Sequence, residues 1–129
     1  MILPAFKTAK GGNAMFRVAV IGSRSVDARY YERMCMAMPY GVTEIVSGGA
    51  KGADELGKEY ARSYGLKYTE FAPDYARYQR RAPLMRNVEI VKYADYVIAL
   101  WDGKSKGTEQ AINACDEVGT EVRVIRCDD

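Results

Sequence analysis

One stretch constrains the fold of this chain more than any other: residues 43–61, which read TEIVSGGAKGADELGKEYA. A short apolar run, Ile45-Val46, leads into a turn that contains three glycines, and a helical pattern begins directly after it. Backbone N–H groups in such a turn point inward and a helix start carries positive partial charge, so the unit is typical of an anion cradle. The alternative is a tight turn in which Asp54 caps the helix and no ligand binds.

The order of apolar and helical segments along the chain predicts the fold class. Apolar runs alternate with helical patterns, and no repeat or linker divides residues 16–126. This alternation predicts an α/β protein, a Rossmann-like three-layer α/β/α fold with a five-stranded parallel sheet, and right-handed crossovers favour the strand order 3-2-1-4-5. The predicted strands are residues 16–21, 43–47, 66–71, 95–101 and 121–126. Residues 1–14 are expected to form a flexible tail before a single domain, residues 15–129.

Composition and missing motifs exclude several kinds of chemistry. The chain has no histidine, so a His base, a Ser-His-Asp triad and a His-ligated metal are excluded. Its three cysteines show no CxxC spacing, which argues against a zinc site or a disulfide framework and is typical of a reducing cytoplasm. The turn after the first strand reads GSRS rather than GxGxxG, and the P-loop motif is absent, so NAD chemistry is not expected. We therefore expect a cytoplasmic protein without a metal, a cofactor or a membrane partner.

The predicted sheet order places three turns at one crevice. Ligands of such sheets bind at the carboxyl ends of the strands where the winding reverses, here strands 1 and 4. GSRS and DGKSKGT follow those two strands, and SGGAKGAD lies one strand away. We therefore predict a site for a nucleotide-type ligand. The residues that the turns contribute are Gly22, Ser23, Arg24, Ser47, Gly48, Gly49, Ala50, Lys51, Gly52, Asp54, Asp102, Gly103, Ser105, Gly107 and Thr108.

The motifs together resemble those of a known superfamily. VSGGAKGAD, APDY, the pair Arg86-Asn87, DYVIALWDGKSKGT and the closing VRVI resemble the SLOG superfamily, and within it the small YspA-like proteins of bacteria and phages. The resemblance covers nearly all of residues 16–126. It implies a Rossmann-like fold, a site for nucleotides or nucleotide-derived ligands, and a place for Arg86 and Asn87 in that site. Its relatives include the Lonely Guy phosphoribohydrolases, DNA-processing A proteins that bind single-stranded DNA, and nucleotide sensors.

The chain departs from the hydrolase pattern at the catalytic position. The phosphoribohydrolases carry PGGxGTxxE, whereas here Gly107-Thr108 is followed by Glu109, Gln110 and Ala111, so alanine stands where the catalytic glutamate is expected. Phosphate binding by Gly107 and Thr108 carries over, but the hydrolytic carboxylate does not. If the chain is an enzyme, the catalytic candidates are Glu109, Asp102 and Arg86, with Asp54 as a further carboxylate.

Three functions follow from these features. The first is a ligand-binding protein that holds a nucleotide or an ADP-ribose-like molecule, as a sensor or a sponge. The second is an N-glycosidic hydrolase acting on nucleoside monophosphates. The third is single-stranded DNA binding through a segment in which arginines alternate with tyrosines, although the net charge of +2 makes nucleic acid a weak expectation. That segment contains Tyr75, Arg77, Tyr78, Arg80 and Arg81; its alternative role is a solvated connector. The ten tyrosines also favour a homodimer.

Overall fold

A computed structural model describes residues 15–128 and contains the predicted parallel sheet. The five strands pair in parallel in the order β3-β2-β1-β4-β5, which confirms the predicted fold class and strand order. The predicted tail, residues 1–14, lies outside the described residues. The strands are β1 (Arg17–Gly22), β2 (Glu44–Ser47), β3 (Lys67–Glu70), β4 (Tyr96–Trp101) and β5 (Glu121–Arg126).

The two central strands explain why the sheet is parallel and covered on both sides. β1 and β4 each contain four consecutive buried residues, as strands do when helices pack on both faces. Side chains that point to opposite faces belong to two separate clusters. One contains Val18, Val20, Ile98 and Leu100, and the other contains Ala19, Ile21, Val97 and Ala99. The edge strand β5 is largely exposed.

Within the described residues, five α-helices lie between the strands. They are α1 (Tyr31–Ala37), α2 (Ala53–Tyr64), α3 (Tyr75–Tyr78), α4 (Ala82–Tyr93) and α5 (Lys106–Val118). Helices α1 and α2 pack against the first cluster, and α4 and α5 pack against the second. In the described residues no helix is long and apolar enough to cross a membrane.

Helical spacing predicts a first helix directly after GSRS and places Tyr64 and Val118 on the buried sides of their helices; the structure corrects these three details. The first helix does not begin directly after GSRS, because a 3₁₀ turn, Ala28–Tyr30, capped by Asp27, precedes it. Tyr64 and Val118 were expected on buried faces but are 63% and 38% exposed. Both residues lie at the last position of their helix, where the chain passes the end of the sheet. The helical spacing alone does not show where the sheet ends.

Gly22 sets the spacing at the centre of the sheet. A Cβ atom at this position would overlap the carbonyl oxygen of Leu100 and would come within 2.8 Å of the Cβ of Ala53. Only glycine therefore lets the end of β1 approach both β4 and the start of α2 so closely. The close contact lies at the point where the winding of the sheet reverses, and it brings the surrounding turns together.

Candidate functional site

A crevice of about 320 Å³ opens at the carboxyl ends of β1 and β4, where the sequence places the site. Ten of the predicted ligand-binding residues line it: Gly22, Arg24, Ala50, Asp54, Arg86, Asn87, Asp102, Ser105, Gly107 and Thr108. The three turns and the start of α4 therefore do meet around one space. That these residues bind a ligand remains a prediction.

Asp102 joins two of the turns that form the crevice. Its Oδ1 accepts hydrogen bonds from the backbone N–H groups of Lys104, at 2.9 Å, and Ser105, at 2.8 Å, and its Oδ2 accepts one from the Ser25 hydroxyl at 2.9 Å. These bonds, led by the one from Ser105, lower the pKa of Asp102 to about 2. Because both oxygens are engaged, this carboxylate organises the DGKS turn and ties it to the GSRS turn.

The start of α5 faces the crevice without a side-chain cap. Ser105 is the N-cap residue, but its side chain makes no capping hydrogen bond. Its hydroxyl instead accepts a hydrogen bond from the buried Thr108 hydroxyl at 3.2 Å, and Thr108 in turn lies 3.4 Å from the Ser23 hydroxyl. The first N–H groups of a helix have no partner inside the helix and carry positive partial charge. This wall of the crevice therefore favours an anion.

Arg86 adds a cation to the opposite wall. Its Nη1 donates to the carbonyl oxygen of Gly48 at 2.8 Å, and its Nε donates to the side chain of Asn87 at 2.8 Å. A Cβ atom on Gly48 would lie only 2.5 Å from Nη1, so the guanidinium rests directly on the glycine turn. Arg24, on the GSRS turn, is an exposed second cation that lines the crevice.

The glycine turn itself holds a carboxylate of the protein. Asp54 is the second residue of α2, behind the N-cap Gly52, so it is not the helix cap that the alternative interpretation proposed. Its Oδ2 accepts hydrogen bonds from the N–H groups of Gly48, at 2.8 Å, and Ala50, at 3.3 Å. Burial raises the pKa of Asp54 to about 6, although these two bonds and Arg86 act to lower it. The inward N–H groups of the turn thus already have an anionic partner.

The remaining predicted residues lie around the crevice rather than in its wall. Ser23 is buried beneath it, and its hydroxyl accepts a hydrogen bond from the N–H of Asp102 at 3.1 Å. Ser47 is buried and hydrogen-bonded to the Tyr68 hydroxyl, whose pKa burial raises to about 12. Gly48, Gly52 and Gly103 shape the turns. Gly49 and Lys51 line a separate, smaller cavity of about 160 Å³ on the other side of the turn, which Asp54 also borders.

Four crevice residues were absent from the predicted set: Ile21, Ser25, Pro83 and Ala111. Ser25 belongs to the GSRS turn, so its place in that motif was a usable signal. Ala111 is the residue that the resemblance matches to the catalytic glutamate of the hydrolases, and it lies in the crevice wall. Ile21 and Pro83 gave no signal in the sequence, because an apolar residue at a strand end or a helix start is ordinary.

The catalytic candidates differ in their access to the crevice. Glu109 is exposed on the first turn of α5 and is not among the residues that line the crevice. Asp102 lines it but has both oxygens engaged in the turn. Asp54 lines it with only one oxygen engaged. Within residues 15–128, no group of three or more histidine, cysteine, aspartate or glutamate side chains is arranged to hold a metal ion.

The arginine- and tyrosine-rich segment forms α3 and a 3₁₀ turn, Gln79–Arg81, that lead into α4. Tyr75 is 60% exposed, and the guanidinium of Arg77 lies 5.1 Å from the ring centre of Tyr78. Pro83, two residues after the 3₁₀ turn, lines the crevice. The segment therefore lies next to the crevice in the chain and outside its lining.

The fold and the crevice define a Rossmann-like α/β protein whose candidate site lies at the topological switch point of a parallel sheet. The chain is 31% identical over 119 residues to the Gene 61 protein of Mycobacterium phage D29, an alignment that covers 84% of this chain and 94% of that protein. The chain belongs to the family of this phage protein. No protein-family model matches the chain.

A solved structure shares the fold. The structure of DNA processing protein A (DprA) from Streptococcus pneumoniae superposes with a TM-score of 0.69 and 21% sequence identity, over 88% of this chain. The chain spans about half of that protein, 51% of its length. The likeness shows a shared Rossmann-like fold, which is the fold that the resemblance to the SLOG superfamily implies.

Proposed function

We propose that the protein binds a phosphorylated nucleoside in the crevice at the ends of β1 and β4. The observation that carries the proposal is the meeting of an uncapped helix start, at residues 105–108, with two arginines, Arg24 and Arg86, around one space. Each element favours an anion, and together they surround a space of about 320 Å³. Small-molecule sites occupy roughly 300–1,000 Å³, so the crevice is large enough for a compact ligand.

The phosphate belongs at the start of α5. Its first N–H groups lack partners inside the helix, and the Gly107 backbone is open to close approach, since nothing lies within 4 Å of a Cβ atom built there. The SLOG resemblance carries phosphate binding to Gly107 and Thr108 as well. Arg24 and Arg86 then neutralise the charge. No side chain in this arrangement needs to react, so it serves a sensor or a sponge for an ADP-ribose-like or mononucleotide ligand.

The proposal is tested by identifying and titrating the ligand. Native mass spectrometry of the protein purified from its host reports the mass of a retained ligand and the number of subunits, which also tests the proposed homodimer. Calorimetric titration with AMP, ADP and ADP-ribose follows.

Arg24→Ala should weaken binding roughly tenfold, because it removes one charge-assisted contact. Arg29→Ala, at an exposed arginine paired with Asp27, is the matched control and should bind as wild type does. Absence of a retained ligand together with no heat from any of the three nucleotides would refute the proposal.

A second candidate function is N-glycosidic hydrolysis of a nucleoside monophosphate. The observation that favours it is the Asp54 carboxylate, which lines the crevice together with Ala111 and whose pKa burial raises to about 6. A carboxylate with a pKa in this range suits general acid–base work at neutral pH. If the protein hydrolyses the N-glycosidic bond, chromatography of AMP incubated with it should show free adenine. In that case turnover should disappear in Asp54→Asn and persist in Glu109→Gln.

A third candidate is single-stranded DNA binding by the segment around α3. It is favoured by the exposed Tyr75 and by the arginine–tyrosine contact of Arg77 with Tyr78, and the fold is shared with a protein whose name is DNA processing protein A. Fluorescence anisotropy with a labelled oligothymidine measures it. Binding through phosphates should weaken steeply with added salt, and the double change of Arg80 and Arg81 to Gln should flatten that dependence. No anisotropy change at low salt would end this candidate.

A further inference from the structure

Asp54 is a buried hydrogen-bond acceptor, and only one of its two carboxylate oxygens receives hydrogen bonds from the described residues. Its side chain is almost fully buried, with 5% of the residue exposed, and it lines the crevice. Oδ2 takes both hydrogen bonds from the glycine turn, from Gly48 and Ala50. Among residues 15–128, no group donates a hydrogen bond to Oδ1. One oxygen thus holds the carboxylate in position, and the other receives no hydrogen bond from residues 15–128 beside the two cavities that Asp54 borders.

This arrangement reverses the expected role of the glycine turn. The N–H groups that were predicted to cradle a phosphate already bind the Asp54 carboxylate. A phosphate that reached them would have to displace a buried anion or lie beside it, and two anions at one place repel each other. The phosphate is therefore directed to the start of α5, and the wall formed by Asp54 is left for a neutral hydrogen-bond donor.

We propose that Oδ1 of Asp54 accepts a hydrogen bond from a ribose hydroxyl of the ligand, so that the crevice selects ribonucleoside phosphates over their deoxy counterparts. The inference rests on the proposed function and names the part of the ligand that this wall recognises. A sugar hydroxyl is the donor that a nucleotide carries next to its phosphate. A carboxylate is the strongest acceptor for it, because a hydrogen bond to an ionised group is shorter and stronger than one between neutral groups.

The neighbours of Asp54 support this assignment. Burial raises the pKa of the carboxylate, which indicates an acceptor deprived of the solvation that a ligand hydroxyl would replace. Arg86 on α4 and Glu70 on β3 are the charged groups that act on it, in opposite directions. Loss of one hydrogen bond to a charged acceptor weakens binding by roughly 10- to 100-fold.

The test compares three nucleotides by titration calorimetry: AMP, 2′-deoxyAMP and 3′-deoxyAMP. The wild-type protein should bind AMP roughly 10- to 100-fold more tightly than one of the deoxy forms. Asp54→Asn keeps an oxygen for the N–H groups of Gly48 and Ala50 but presents an amide N–H to the ligand. This group can only donate to the hydroxyl oxygen, in a weaker hydrogen bond between neutral groups, so the preference for AMP should fall to less than about tenfold. Glu55→Gln is the matched control: it makes the same chemical change one residue further on, at a side chain outside the crevice that bonds the Gly52 N–H. It should discriminate as the wild type does.

The outcomes separate this inference from the function on which it rests. Equal affinity of the wild-type protein for all three nucleotides overturns the role of Asp54 and leaves nucleotide binding standing, and this result needs no variant to fold. Discrimination that persists undiminished in Asp54→Asn also overturns it, provided that circular dichroism shows the variant folded. No binding of AMP at all by the wild-type protein overturns the inference together with the proposed nucleotide site.

Discussion

Replacing Asp54 with asparagine should change the way that stability depends on pH. In the folded protein, burial raises the pKa of this carboxyl from 3.8 to about 6. The folded state therefore binds more protons than the unfolded state between about pH 4 and pH 6, so the contribution of Asp54 to stability is complete below pH 3.8 and is lost as the pH rises through 6. One pKa unit corresponds to about 1.4 kcal/mol, so the ionised group destabilises the folded protein by roughly 3 kcal/mol at neutral pH.

Urea denaturation followed by far-UV circular dichroism measures this effect. The free energy of unfolding is determined for wild type and Asp54→Asn from pH 4 to pH 7.5. Asparagine does not titrate and still accepts hydrogen bonds from Gly48 and Ala50, so its stability relative to wild type should rise by roughly 2–3 kcal/mol over this range. Glu55→Gln removes a carboxylate from the same helix at an exposed position, and comparison with it isolates the effect of burial.

A particular result would refute the reasoning. If the difference in unfolding free energy between Asp54→Asn and wild type stays constant with pH, the pKa of the carboxyl is the same in the folded and the unfolded protein. If wild type gains stability relative to the variant as the pH rises, the two backbone hydrogen bonds and the nearby Arg86 outweigh burial. The pKa of Asp54 is then lowered rather than raised.

Three further perturbations have definite expected outcomes. Gly48→Ala should weaken binding of AMP roughly tenfold, because the new Cβ would lie 2.5 Å from Nη1 of Arg86 and displace the guanidinium; equal affinity by calorimetry would contradict this. Gly49→Val should lower the free energy of unfolding by roughly 1–3 kcal/mol in urea denaturation, since the residue has a φ of +74° and the side chain would overlap the carboxyl group of Glu70. Asp102→Ala should lower the free energy of unfolding by about 1–2 kcal/mol in the same measurement, because it leaves two N–H groups of the DGKS turn without their acceptor. Unchanged stability would show that the turn keeps its conformation without Asp102.

The sheet was predictable because its signals are local and repeated. Consecutive apolar residues in β1 and β4, each followed by a turn and a helix, indicate parallel strands covered on both faces. Handedness of the crossovers then fixes their order. The same reasoning located the crevice, since the switch point depends only on strand order and not on side-chain detail.

The contents of the crevice were less predictable because they depend on which groups satisfy one another. A glycine-rich turn before a helix has the same sequence whether its N–H groups bind a phosphate or a carboxylate of the protein. The sequence contains Asp54 two residues after Gly52 but does not show that its side chain turns back to Gly48 and Ala50. The sequence likewise does not show that Lys51 lines the smaller cavity rather than the crevice, because this depends on the path of the turn in space.

The tight contact at Gly22 has a consequence for tracing the ancestry of this family. A side chain at position 22 would collide with the backbone of Leu100 and with Ala53, so a homologue that carries one must hold the end of its first strand farther from both its fourth strand and its second helix. Its crevice then differs in width as well as in lining. The residue at position 22 therefore indicates whether a homologue has the same crevice as this protein or one of different width and lining.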